Sequence, residues 1–278
     1  MKRFIIILLL ILLMANFSYR VDLTRSPHEL IGELMYFPSG TAIRILSIGF
    51  YAPLADLVWL RFVQYYGEHR MTDAKFEFMY HILDILTTLD PRFLYAYTLG
   101  GLMLTHDAQR EDQAEKLLKK GMRKNPDEWR YPYMYGFINY VFLKEYNIAQ
   151  TYFRLSSYKP NAPDIPKRWA AFTLYKKVGD LKAGLALWVD LYNSSENPEE
   201  KEIADFYIKK IKMILDIEFL NEKIEAYMKK IGRKPFNLEE LITHNFIESI
   251  PDEPHGKKYI IRRGKAYSTW QKEHSIFK

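Results

Sequence analysis

The sequence predicts an all-α fold: an α-solenoid of helical hairpins, preceded by an N-terminal signal or anchor and closed by a small C-terminal helix and β-hairpin module. Three observations carry that expectation. First, Met79, Ala114, Ala149 and Ala183 stand 35, 35 and 34 residues apart. Leu83, Leu118, Phe153 and Leu187 follow in step, and then Leu86, Gly121, Ser156 and Asp190. Steps of four and then three place each set on one face of a helix. Second, a further apolar stretch upstream of each set carries a small residue where two helices must touch: Gly67, Gly100-Gly101, Gly136 and Ala170-Ala171. Third, Asp90-Pro91, Asn125-Pro126 and Lys159-Pro160 recur at 35 and 34, and proline stops each second helix. One hairpin cannot bury both of its apolar faces, whereas a stack can.

Residues 1–20 read as an address. Met1-Lys2-Arg3 precedes an apolar run from Phe4 to Ala15, with no charge before Arg20. Twelve helical residues reach about 18 Å, and extension to Tyr19 gives about 24 Å, against a hydrocarbon core of about 30 Å. Lys2, Arg3 and Arg20 would meet the two interfaces of a short anchor. The candidate cleavage points are poor, because Leu13 precedes Ala15 and Asn16 precedes Ser18. The expectation is an uncleaved anchor in a bacterial inner membrane with the body on the periplasmic side; cleavage would leave the protein free in the periplasm.

Residues 21–55 form an N-terminal capping segment. Pro38-Ser39-Gly40 reads as a turn, and Gly49 and Pro53 punctuate an apolar stretch. Its clean part, Ile45–Ala55, is too short to span a membrane. A short helix is expected, then the first helix of the array with Asp56 and Arg61 on its exposed edge. The stretch Ala55-Asp-Leu-Val-Trp-Leu-Arg61 resembles the start of a group of bacterial periplasmic repeat proteins, a resemblance that implies no activity.

Residues 56–198 hold the repeats. Ala114-Glu-Lys-Leu-Leu118-Lys-Lys-Gly121 with Asn125-Pro126, and Gly179-Asp180 with Ala183 and Leu187, resemble tetratricopeptide repeats. The likeness covers about half the chain and is degenerate: Met79 and Asp190 replace small residues, and the first two repeats have longer inter-helix loops. It implies a concave surface, built from the first helix of each hairpin, that binds protein segments. Counting from the ladder, the groove positions are Tyr95, Thr98, Arg130, Tyr133, Tyr140, Arg168 and Tyr175, each within one position. Tyrosine and arginine are the side chains that make binding hot spots, although tyrosines at helical spacing also pack.

Residues 199–231 alternate apolar and charged positions and predict one or two long capping helices over the last repeat. Residues 232–278 differ in kind. Gly232-Arg-Lys-Pro235 breaks the helix, and Asn237-Leu-Glu-Glu240 starts a short one. Ile250–Gly256 is a rigid turn, and Tyr259–Trp270 reads as two strands about Arg263-Gly264. Pro251-x-x-Pro254-x-Gly256-x-x-Tyr259 resembles the ending of type II secretion major pseudopilins, with Glu253 as an additional acid, so no calcium site follows from it.

Charge and composition narrow the function. The net charge is +6, and residues 257–278 carry seven basic residues against Glu273, so residues 1–256 are neutral in sum. That excludes a general nucleic-acid surface. It leaves one basic patch, Lys257, Lys258, Arg262, Arg263 and Lys265, which would meet anionic headgroups or an acidic partner, or simply solvate the hairpin and guard its edge. Absence of cysteine removes disulfides, thiolate metal sites and Cys nucleophiles.

Catalytic motifs are missing. The seven histidines have no metal-ligand spacing. Gly179 and Gly184 match P-loop glycines, but Leu185-Ala186 follow where Lys-Ser/Thr is required. Glu199-Glu200 and Glu239-Glu240 are first-turn acids favoured by helix dipoles. No catalytic residue, cofactor or metal is expected. The reading is a non-catalytic periplasmic scaffold that binds envelope proteins, in pilus, secretion or other envelope assembly. Two alternatives stand beside it: a pilus-like or fibre subunit, though Phe4–Ala15 lacks the early acid of pilin helices, and an envelope enzyme with an unrecognised site.

Overall fold

The structure, a computed structural model, describes residues 39–270 together with Leu13, Asn16 and Arg20. Apart from those three residues, the N-terminal address thus lies outside the described residues, as do most of the capping segment and the end of the basic tail. At 70% helix against 3% strand the fold is mostly helical, with one small antiparallel sheet near the C-terminus. No described helix is long and apolar enough to cross a membrane. The chain divides into two compact units, Met1–Pro126 and Asp127–Lys278.

The first unit contains α1 (Gly40–Leu46), α2 (Tyr51–Met71), α3 (Met79–Leu89), α4 (Leu94–His106) and α5 (Glu111–Lys124). The hairpins α2/α3 and α4/α5 pack on each other through α3, and α1 lies on α3. Of the turn expected at Pro38-Ser39-Gly40, Pro38 lies outside the described residues; Gly40 starts α1 and Ser39 caps it, its hydroxyl accepting the Ala42 N–H at 3.4 Å. The first array helix begins at Tyr51, five residues earlier than read, because Pro53 falls in its first turn, where no N–H is needed. Asp56 and Arg61 are exposed on it.

The second unit contains α6 (Arg130–Ile138), α7 (Tyr146–Ser157), α8 (Asp164–Thr173), α9 (Leu181–Ser194), α10 (Pro198–Ile231) and α11 (Glu239–Thr243), then β1 (Tyr259–Arg262) and β2 (Lys265–Ser268). Helices α6 to α10 each pack on the next. Both α6 and α8 end in a π-helical turn, Asn139–Leu143 and Leu174–Val178.

The repeat is written in the backbone as well as in the side chains. Ala74, Gln109, Lys144 and Gly179 all have positive φ, at 53°, 53°, 60° and 84°. They are 35 residues apart throughout and follow the first helix of each hairpin. The N–H groups of Ala74 and Gly179 reach five residues back, to the carbonyls of His69 and Leu174. Those of Arg110, Glu145 and Asp180 reach six back, to Leu104, Asn139 and Leu174. One left-handed residue thus turns the chain in every hairpin.

That period corrects the fourth rung. Met79, Ala114 and Ala149 are buried as read, with Leu83, Leu118 and Phe153 and then Leu86, Gly121 and Ser156. In the last hairpin, however, the buried set is Gly184, Trp188 and Leu191; Ala183 and Leu187 are half-buried and Asp190 is exposed. The interval is 35 at every step. Trp188 fills the position of the large residue, and glycine opposite Tyr175 makes room where alanine had been expected: a Cβ on Gly184 would lie 3.1 Å from the Tyr175 backbone nitrogen.

The small residues of the first helices behave similarly. A Cβ on Gly101 would meet Leu118 Cδ1 at 2.9 Å, and one on Gly136 would meet Phe153 Cδ1 at 2.9 Å. Ala171 and Trp188 share a core cluster at the same separation of seventeen residues. Gly67 breaks the pattern: nothing lies within 4 Å of its Cβ position, so it is no helix contact. The corresponding position is Tyr66, which stacks on Phe62 and Phe76.

Of the one or two long helices expected after the last repeat there is one, α10, of 34 residues. Asn197 caps it and Pro198 opens it, and Gly232 ends it at φ 81°. Its first half packs Ala204 and Ile211 against Trp188 and Leu191 of α9. Its second half supplies Leu220, Ile224 and Tyr227 to a separate core with Leu241, Tyr259 and Ala266. The β-hairpin pairs Tyr259 with Ser268 and Arg262 with Lys265. Arg263 and Gly264, both at positive φ, form its two-residue turn, as the sequence predicts.

Candidate functional site

The seven groove positions divide by environment. Tyr95 is 60% exposed on α4, whereas Thr98 is buried one turn on, its hydroxyl donating to the Leu94 carbonyl at 3.1 Å. Arg130 is exposed and chelates the Glu128 carboxylate through Nε and Nη2, both at 2.7 Å, which holds that carboxyl below its ordinary range. Tyr133 and Tyr140 sit in the seam of the second unit. Tyr133 packs on Phe153 and Trp129, and burial pushes its phenol up. Tyr140 packs edge-on to Tyr146 and Trp169. Tyr175 lies partly buried near Tyr207, its phenol raised first by burial.

Arg168 is the groove position with the most developed surroundings. Its Nη1 donates to Glu200 Oε1 at 2.7 Å, fastening α8 to the start of α10. The other oxygen, Glu200 Oε2, is buried and has no hydrogen-bond partner among the described residues. Beside this pair opens a groove of about 610 Å³, lined by Arg168, Trp169 and Phe172 of α8, by Trp188 of α9, and by Glu202, Ile203, Phe206 and Tyr207 of α10. Tyr207 stacks on Trp188, centroids 4.5 Å apart and planes at 12°. The Trp188 indole N–H is buried with no acceptor among the described residues. Phe206 stays 44% exposed at the mouth.

Sequence reasoning missed most of this groove. Arg168 was found because it lies on the predicted inner face of a first helix. Phe172 lies four positions on, on the same helical stripe as Arg168, and Trp169 stands three before Phe172, so both were legible from that face. The wall from α10 reads in the sequence as part of a capping stripe, since a helix pattern does not say which of its apolar residues stay open. Nearby, Lys210 has its pKa lowered, by burial first and then by Lys176; its ammonium lies 5.6 Å from the Phe206 ring centre.

A second groove, about 510 Å³, lies in the first unit between α2 and α3, where Leu54, Leu57 and Leu60 face His81, Ile82 and Ile85, with Arg61 and Gln64 at its polar end.

The C-terminal module has a buried carboxylate at its centre. Glu253 accepts the N–H groups of His255 and Lys257 at 2.8 and 3.0 Å and the Ser268 hydroxyl at 2.9 Å. His255 Nδ1 stands 3.2 Å from Oε1, the oxygen that also accepts the Ser268 hydroxyl, and the imidazole stacks on Trp270 at 4.0 Å. Burial acts to raise this carboxyl, but the donors outweigh it and the net displacement is downward. The extra acid of the turn is thus the acceptor that organises the turn. All five residues of the basic patch, Lys257, Lys258, Arg262, Arg263 and Lys265, are exposed around the hairpin. Among the described residues no cluster of three or more His, Asp and Glu is placed to hold a metal ion.

No protein-family model, curated protein or solved structure matches the chain.

Proposed function

We propose that this chain is a non-catalytic scaffold, tethered to a bacterial inner membrane on its periplasmic side, whose hairpins form one tetratricopeptide-like α-solenoid that binds protein segments in envelope assembly. The observation that carries this reading is the groove between α8 and α10. It is open and aromatic-walled, with Arg168 and Glu202 as its charged lining residues. A short apolar segment crossing it would bury side chains against Trp169, Phe172 and Phe206. An aromatic lining with a few charged groups at its edge is the usual anatomy of a binding site.

The test is photocrosslinking in cells of the producing bacterium. A benzophenone amino acid replaces Phe206, and in a control it replaces Lys182, which is exposed on α9. The reading expects discrete protein adducts at 206 that Trp169→Ala diminishes and that are missing at 182. Equal labelling at both positions, or none at 206, would remove the groove as a binding site.

A further inference from the structure

We propose that the tip between α1 and α2 is a docking point on a lipid bilayer surface, so that the first unit lies against the membrane as well as being tethered to it. The inference rests on the tethered reading and goes beyond it, since it assigns the contact to folded residues.

The tip is built from large apolar side chains that stay exposed. Ile45 is 75% exposed, Ile48 86% and Phe50 71%, with Tyr51 beside them at 36%. Large apolar residues exposed singly are ordinary, but four within seven positions form a patch that marks an interaction surface. The backbone adds to the case. Ile48 adopts φ 47°, a left-handed conformation that a β-branched residue rarely takes. Neighbouring Gly49, at φ 92°, takes its positive φ without penalty. An isoleucine held in that conformation in contact with water gains nothing for folding.

The tip is also held firmly from behind. Arg44 Nη1 donates to the carbonyls of Thr88 and Leu89 at 2.6 and 3.3 Å, which ties α1 to the C-terminal end of α3. Gly40 is pressed so close to Thr88 that a Cβ would stand 2.9 Å from its side chain. The guanidinium of Arg44 lies over the Tyr51 ring at 4.6 Å.

Chemistry selects a bilayer as the occupant. From Ser39 through Ala55 the chain has one charge, Arg44, and no acid. Isoleucine and phenylalanine beside a tyrosine suit the boundary between headgroups and acyl chains, where aromatic side chains settle. The apolar run Phe4–Ala15, with Lys2, Arg3 and Arg20 at its ends, ends only 24 residues before Ser39. A tip so close in sequence to a membrane-seeking segment meets that bilayer at high effective concentration. A soluble acidic partner would find only one cation here, and that one is already engaged.

The cysteine-free sequence makes the test clean, since any introduced thiol is unique. Full-length Ile48→Cys, Phe50→Cys and a control, Lys124→Cys, are labelled with an environment-sensitive nitrobenzoxadiazole probe. Each is mixed with vesicles of phosphatidylcholine and phosphatidylglycerol and sedimented, with circular dichroism confirming the unchanged fold. We expect co-sedimentation of all three, with a blue shift and quenching by spin-labelled lipid at 48 and 50 and neither at 124. Co-sedimentation with a water-like probe at 48 and 50 overturns the docking point and leaves the tether standing. Chain left in the supernatant overturns both. A blue shift without vesicles that grows with protein concentration makes the tip a contact between two copies and overturns the bilayer assignment.

Discussion

Gly136 faces Phe153 across a hairpin so closely that a β-carbon on the glycine would stand 2.9 Å from the ring carbon Cδ1 and 3.1 Å from the Ala149 carbonyl oxygen. Both neighbours are fixed. Phe153 is fully buried, with Tyr133, Tyr140 and Trp169 around it. The added methyl therefore has to displace either a locked ring or helix backbone. Gly136→Ala should destabilise the second unit by about 1–3 kcal/mol, although alanine is the better helix former. Thermal or urea unfolding measures this. A gain in stability would mean the two helices stand further apart than described.

Trp188 and Leu187 distinguish the two registers of the fourth hairpin. If the interval is 35 throughout, Trp188 is the buried anchor of α9, and Trp188→Ala should cost about 3–5 kcal/mol. Leu187 is only half-buried, so Leu187→Ala should cost clearly less. The reverse order in chemical denaturation would restore the 34-residue step that the alanine pattern suggests.

That one-residue slip shows how far the pattern could be read. The ladder was legible for three hairpins because a small residue, a large one and a second small one fall at fixed steps, and only a helix face rewards that arrangement. It slipped in the fourth because Ala183 and Gly184 are both small, and Leu187 and Trp188 are both large and apolar. Composition cannot rank such neighbours; the closeness of Tyr175 does. The signal that resolves the ambiguity lies in the turns. Ala74, Gln109 and Lys144 take left-handed backbone without being glycine, so only Gly179 advertised the position, and a period visible in φ stayed invisible in residue type. Gly67 failed for the opposite reason: glycine alone does not say that a helix is near. As for the groove, Arg168 was legible from its helix face, but the wall from α10 depends on which side of a 34-residue helix remains uncovered, a tertiary property.

The Tyr259 hydroxyl donates to Asp216 Oδ2 at 2.9 Å, and the Ala266 N–H donates to Asn221 Oδ1 at 2.8 Å. These two bonds fasten the β-hairpin to α10. Burial first, and then the Asp216 carboxylate, push the Tyr259 phenol well above its ordinary range. Tyr259→Phe leaves the ring in the core but removes the donor, at a cost of about 1–3 kcal/mol for a bond to a charged group. Hydrogen exchange should show the loss locally: amides of 259–268 exchange faster while those of α7 and α8 do not change. Uniform acceleration through the unit would mean that hairpin and helices unfold as one.

Glu253 makes the stability of the same module depend on pH. Its carboxylate gathers two backbone N–H groups and the Ser268 hydroxyl, and its pKa is lowered in the folded protein despite burial. A carboxyl whose pKa is lower when folded than when unfolded contributes stability above the unfolded value, about 4.3 for glutamate. That contribution fades as pH falls through the folded value, because the unfolded chain takes up the proton first. Glu253→Gln keeps the shape, loses the charge and places an amide N–H₂ where a donor already points. At pH 7 the variant should therefore melt at a lower temperature than the wild type, with a loss of about 1–3 kcal/mol. As pH is lowered below about 4.3 the gap should close. A gap that stays constant from pH 7 down through that range would show that the carboxylate charge adds nothing, and that packing of His255 against Trp270 holds the turn.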